Sequence, residues 1–259
     1  MSCGPGSLPV VALVESALRD RTMNCRCLLS PVKQVLGLPS PLRPRFLSGL
    51  SEAELNCVLS LAKHRQFRAS SVIINQEDPA ERLFLLTSGH GRQFVITSEG
   101  HKVVLQWLTA GQIFGGAAIL STPFRYLANM ELVSEGCALV WERKTIRELL
   151  SRYSALWDNA LSIAVTENIA WATAAHISLT SDNAPGRVAH LLVSLASAIG
   201  KTTRNGVEMK VSNEDLAEGA NVSPFTVSRS LSAWRRAGIL TKRRGKILLR
   251  RPELLLANA

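Results

Sequence analysis

Apolar positions follow two different rhythms along the chain. Between Phe67 and Trp141 they come as short runs: Val72-Ile73-Ile74, Leu83–Leu86, Phe94-Val95-Ile96, Val103–Leu108, Leu132-Val133 and Ala138–Trp141. Turn formers separate them at Asp78-Pro79, Ser88-Gly89, Glu99-Gly100 and Ala110-Gly111. Short strands at a spacing of roughly ten residues predict a β-sandwich or barrel. On both sides the rhythm is helical. Phe46–Leu61 predicts a helix with Ser51 as N-cap, Glu54 at the reciprocal capping-box position, and Leu55, Val58, Leu59 and Ala62 on one face. Arg143–Leu150 predicts a short helix and Ser154–Thr180 a long one.

In that long helix Leu149, Leu156, Ile163, Ala170 and Ile177 recur every seven residues, beside a weaker row of Tyr153, Ala160, Glu167 and Ala174. Two such rows describe a seam that can pair with a second copy, or a face that packs on the chain's own β domain. On the first reading Leu156, Ile163, Ala170 and Ile177 form a dimer interface.

Prolines punctuate residues 1–45, which read as an irregular arm. Residues 46–153 form a first domain, 154–181 the long helix and 182–259 a second domain, with the breaker cluster Ser181-Asp182-Asn183-Ala184-Pro185-Gly186 as the hinge. Helical spacing resumes over Arg187–Ile199, and Asn205-Gly206 is a turn.

The stretch from Val211 to Leu231 carries the most information. Ser212, with Asp215 three residues on, caps a first helix; Ala220-Asn221-Val222 makes a turn, Asn tolerating the left-handed conformation. Ser223 caps a second helix and Pro224 takes its first position, where the missing N–H costs nothing. Val227, Leu231 and Trp234 turn inward, leaving Phe225, Thr226, Ser228 and Arg229 outward. This is a helix-turn-helix whose outer face suits a major groove: Arg229 for guanine O6 and N7, hydroxyls for phosphates or bases, Phe225 for a thymine methyl. Ala237-Gly238 ends the helix. Two strands then flank a turn carrying Lys242, Arg243, Arg244 and Lys246, a wing suited to phosphates.

Charge supports that reading. The chain is 259 residues long with net charge +10. From Gly186 onward 13 basic residues face 5 acidic ones, so most of the excess sits in the last domain. With 46% apolar residues, most of the chain should be globular. No run approaches the ~18 apolar residues of a membrane span. No secretory signal is visible, and the five cysteines, Cys3, Cys25, Cys27, Cys57 and Cys137, read as free thiols in a reducing cytoplasm. No nucleophile-elbow, phosphate-loop, dinucleotide or His-pair metal motif is present, so an enzyme is not expected.

The order of these features resembles the family of the cyclic AMP receptor protein and the fumarate–nitrate reduction regulator. The similarity rests on Asn183–Ala189, on Thr226-Val227-Ser228-Arg229 and on Gly238-Ile239-Leu240, and runs from about Phe46 to Leu254. It implies an α+β chain: an N-terminal β-roll of the cyclic-nucleotide-binding type, a long dimerisation helix, and a C-terminal winged helix-turn-helix. It implies a homodimer on near-palindromic double-stranded DNA, with Ser228 and Arg229 reading bases and Ser223 near the backbone, and RNA polymerase as a candidate partner. The residue before Thr226, usually Glu in this family, is Phe225 here.

The resemblance also places an effector pocket at Gly115, Gly116 and Arg125. The family's phosphate cassette carries a Glu followed by an Arg-Ser or Arg-Thr pair. Phe114–Leu120 keeps the glycines and lacks the Glu, Leu127-Ala128 stand in the pair's place, and Arg125 comes two positions early. The expected signal is therefore not cyclic AMP. The effector and any cofactor stay open. Haem, an iron–sulfur centre around Cys25 and Cys27, and effector-free constitutive binding are the alternatives. None of His64, His90, His101, His176 and His190 carries a ligand signature.

Overall fold

The structure is a computed structural model that describes residues 44–100, 102–169, 172–173, 183–243 and 245–257. Two compact units divide the chain. One holds the described residues up to 91 together with 109–167, the other 92–108 and those from 168 onward.

In the first unit the capping box at Ser51 forms as its sequence predicts. Ser51 Oγ accepts from the Glu54 amide, and the Glu54 carboxylate accepts from Ser51 N at 2.9 Å. That cap fixes the start of α1 (Glu52–Ser60), so the helix expected over Phe46–Leu61 is shorter. The residues ahead form a 3-10 turn, Arg45–Leu47, and a bend at Gly49 with φ +77°.

The strands are β1 (Lys63–Phe67), β2 (Ser71–Ile74), β3 (Arg82–Ser88), β4 (His90–Ile96), β5 (Lys102–Thr109), β6 (Ile113–Phe114), β7 (Asn129–Leu132) and β8 (Gly136–Glu142). They form two four-stranded sheets, of order β1-β8-β3-β6, antiparallel throughout, and β2-β7-β4-β5. Then follow α2 (Arg143–Arg152) and α3 (Ser154–Ile163), which continues into a π turn over Ala164–Asn168. Trp141 is the centre of the unit's core. It is fully buried, meets Phe46 edge-on at 6.3 Å, and donates its indole N–H to the Val58 carbonyl at 2.9 Å. Leu55, Leu83, Leu139, Ile146 and Leu156 pack around it.

Leu156 of the expected heptad row is 0% exposed in this core, and Ile163, half-buried, packs against the same cluster; Ala170 and Ile177 lie outside the described residues. A helical surface facing one core needs apolar residues three to four apart, and a seven-residue recurrence alone does not say which partner they meet. The outward apolar row of α3 and the π turn is instead Trp157, Leu161 and Val165, with Leu161 55% exposed.

The second unit contains the β4–β5 hairpin over 92–108, α4 (Ala184–Ile199), β9 (Lys201–Thr203), β10 (Gly206–Lys210), α5 (Asn213–Ala220), α6 (Pro224–Arg236), β11 (Leu240–Arg243), β12 (Lys246–Leu249) and α7 (Pro252–Ala257). Its sheet runs β11-β12-β10-β9, antiparallel throughout. Val188, Leu192 and Leu195 of α4, Leu216 of α5, and Val227, Leu231 and Trp234 of α6 close one core with Ile247 and Leu249. Each such burial stabilises by roughly 1.5–3 kcal/mol against exposure.

Candidate nucleic-acid interface

Each end of the helix-turn-helix is fixed by local chemistry. Ser212 Oγ accepts from the Asp215 amide at 3.0 Å, and Asp215 returns a carboxylate oxygen to Ser212 N at 3.0 Å. Asn221 takes the left-handed conformation, φ 49° and ψ 55°, and turns the chain. Arg187 of α4 donates from Nε to the Ala220 carbonyl at 3.1 Å and from Nη2 to that of Asn221 at 3.4 Å. A cation on these orphan carbonyls complements the C-terminal end of α5. Gly219 lets α4 come close, since a Cβ there would lie 2.7 Å from Leu191 Cδ2.

Ser223 then caps α6 by accepting from the Thr226 amide at 3.1 Å, and the two hydroxyls lie 3.0 Å apart. Pro224 is the first helical residue. With Val227, Ser230, Leu231 and Trp234 buried, Phe225, Ser228 and Arg229 are exposed on the other side. Of the four residues expected outward, Thr226 is half-buried and partly turned in, while the cap residue Ser223 is also exposed. Arg236 falls on the same outer stripe, seven residues beyond Arg229, and is exposed. Sequence reasoning passed over it; its spacing from Arg229 was the available signal.

The wing forms, with β11 and β12 pairing Arg243 opposite Lys246. Its four expected cations are not equivalent. Arg243 is exposed, while Arg244 lies outside the described residues. Lys242 donates to the Asn213 side chain at the start of α5, and Lys246 pairs with Glu208 at 2.8 Å. A phosphate would have to compete with these acceptors, so Arg243 is the better placed donor.

A separate ionic cluster engages α5. Arg92 Nη1 is 2.9 Å from Asp215 Oδ1 and 2.9 Å from Glu218 Oε2, and Lys102 Nζ is 3.8 Å from Glu218. The Arg92 guanidinium also lies 5.8 Å from the Trp107 ring. This cluster was not foreseen, because the hairpin carrying Arg92 is 123 residues from Asp215 and no local pattern links them.

The effector residues expected in the first unit are differently occupied. Gly115 is left-handed at φ +78°, and a Cβ there would lie 2.7 Å from the Arg82 carbonyl. It opens a 3-10 turn, Gly116–Ile119. Arg143 donates to the carbonyls of Ala118, Leu120 and Ser121, so the turn is held by a guanidinium of the protein itself. Arg125 donates to the Glu77 carbonyl and is exposed. From Ile113 to Ala128 there is no acidic residue to take a ribose hydroxyl.

Among the described residues no group of three or more His, Cys, Asp or Glu is arranged to hold a metal ion. Cys137 is a buried free thiol, pushed up from its ordinary pKa by that burial against a smaller opposing hydrogen bond from Ser88. Cys57 is buried in the core of the first unit. His64 is held below its usual value by burial, and His90 Nδ1 is 3.1 Å from Ser134 Oγ. Residues 25–27, His101 and His176 lie outside the described residues. No helix among those described is long and apolar enough to cross a membrane.

Comparison with known proteins matches two family models. The cyclic nucleotide-binding domain matches residues 64–153 and the Crp-like helix-turn-helix domain residues 186–257. Among solved structures, FixK2 of Bradyrhizobium japonicum has 20% identity and TM-score 0.66 over 75% of this chain and 95% of its own. The c-di-GMP-responsive regulator CLP of Xanthomonas campestris has 16% identity and TM-score 0.66 over 77% and 99%. A CRP-family transcriptional regulator of Thermus thermophilus has 21% identity and TM-score 0.62 over 75% and 96%. No curated protein matches by sequence.

Proposed function

From the premise that this chain belongs to the CRP/FNR family of transcription regulators, we propose that it binds near-palindromic duplex DNA as a homodimer and is gated by a signal other than a cyclic nucleotide. Two copies pair through Trp157, Leu161 and Val165, the outward apolar row. Each inserts the N-terminal half of α6 into a major groove, and the two insertions lie one helical repeat apart, ~34 Å. Ser228 and Arg229 read base edges. Arg243 and Arg244 hold phosphates, with Arg236 as a further cation on the same stripe. Phosphate contacts of this kind position the protein and carry no sequence information. A change in the first unit that moves α3 alters the spacing of the two α6 helices, and so the fit to the groove repeat. RNA polymerase is the partner a DNA-bound regulator would recruit or block, and the cytoplasm is where all of these meet.

The observation that carries this reading is the two-sidedness of α6. Its inner face is consumed by the core, while its outer face presents Ser228 and Arg229 to solvent from a helix capped at Ser223. Arg229→Ala tests it. Specific affinity should fall roughly thirtyfold or more, because the dimer loses two bidentate guanine contacts of about 1–3 kcal/mol each, with folding and dimerisation intact. Titration of a selected duplex at fixed salt reads this out. Unchanged specific affinity would remove Arg229 from the interface.

A further inference from the structure

The N-terminal end of α6 carries an apolar group where a DNA-reading surface has no structural use for one. Phe225 is 75% exposed, above every other exposed large apolar side chain among the described residues; Leu127 follows at 69%. The helix does not need it. Capping is done by Ser223 and Pro224, and the inner face by Val227, Leu231 and Trp234. Water is a poor neighbour for a ring this size, which costs free energy in proportion to its exposed area.

The chemistry around the ring narrows what it can meet. The first turn of α6 holds no acidic residue, so nothing there accepts from cytosine N4. The two nearest hydroxyls, Ser223 and Thr226, are within bonding distance of each other, and Ser223 also takes the Thr226 amide. The tip of the helix therefore offers one apolar contact and little polar readout. In a major groove the apolar group on a base edge is the C5-methyl of thymine.

We propose that Phe225 is a specificity-determining residue that selects thymine through its methyl group, a step that rests on the DNA-reading assignment above. Arg229 follows four residues later on the same face, about 6 Å along the helix axis. With base pairs stacked about 3.4 Å apart, the selected thymine lies roughly two steps from the guanine bound by Arg229 in each half-site. A carboxylate at the Phe225 position would prefer cytosine; the ring excludes it by leaving the N4 amino group without an acceptor.

Deoxyuridine isolates the interaction, since it differs from thymidine only by that methyl. Sites are first selected from a randomised duplex library with the full chain, and each thymine is then replaced singly by deoxyuridine. One thymine per half-site, about two steps from the essential guanine, should lose roughly fourfold in affinity, the worth of one buried methyl. Phe225→Ala should bind the thymine and deoxyuridine duplexes alike, with its melting temperature unchanged because the side chain is outside the core. Phe225→Glu should shift selection at that position towards cytosine. Enriched sites with no deoxyuridine-sensitive thymine, or a penalty that persists in Phe225→Ala, overturn the thymine assignment and leave DNA reading intact. A library from which no sequence is enriched overturns both.

Discussion

The outer face of α6 and the turn that begins at Gly115 are both places where this fold presents groups to a ligand, and they have been filled in opposite ways. On α6, every side chain that the core does not need points outward, and Arg229 has no carboxylate beside it in the first turn to neutralise it. At the 3-10 turn Gly115 is left-handed and packs close to the Arg82 carbonyl, the stretch from Ile113 to Ala128 carries no carboxylate, and the nearby Arg125 is spent on Glu77. A left-handed glycine can serve packing as readily as ligand binding. Fold likeness to a binding domain identifies the shape and leaves the ligand to be argued from side chains.

The largest test of this contrast is to leave α6 intact and take away its twin. Leu161→Glu places a carboxylate in the outward row of α3, at a position exposed enough for the single chain to stay folded. If the row joins two copies, sedimentation should show a monomer, and operator affinity should fall about a hundredfold or more as the second half-site stops being an intramolecular contact. A dimer that survives this change would place the interface elsewhere.

A smaller effect probes what holds the reading helices in place. Arg92 and Asp215 are mostly buried, at 10% and 16% side-chain exposure, and Asp215 also caps α5. Arg92→Met strips the cation from a buried carboxylate, which typically destabilises by about 3 kcal/mol. Denaturant unfolding of the C-terminal unit should shift by that order. A loss below about 0.5 kcal/mol would mean that solvent already screens the pair.

These two cases also mark what was legible in the sequence. The caps at Ser51, Ser212 and Ser223 and the turn at Asn221 were readable because each is closed within three or four residues. The strand β1 was not: Lys63–Phe67 has almost no apolar alternation and exists because its backbone pairs with β8 from Lys63 opposite Val140 to Phe67 opposite Gly136. The row through Leu156 was seen but its partner was not, since periodicity gives a face and never says what covers it. The Arg92 cluster and the commitment of Lys242 to Asn213 depend on which distant side chains meet, and no spacing encodes that.

The smallest expected effect is zero, and it bears on the other half of the contrast. A ligand at a hundred times its dissociation constant raises stability by about 2.7 kcal/mol, which for a domain of about 100 residues moves the melting temperature by roughly 10 °C or more. Cyclic AMP and cyclic GMP at millimolar concentration should leave the melting curve where it was. Two features account for that: no carboxylate stands between Ile113 and Ala128 to take a ribose hydroxyl, and Arg125 is bonded to the Glu77 carbonyl. Placing a Glu at Ala117 sharpens the point. If only the carboxylate were missing, Ala117→Glu would create a nucleotide-dependent rise. If Arg143's hold on the following carbonyls also closes the turn, no rise appears until Arg143 is replaced as well. A clear shift with the unaltered chain would show that the turn binds through groups other than these, and the contrast with α6 would fall.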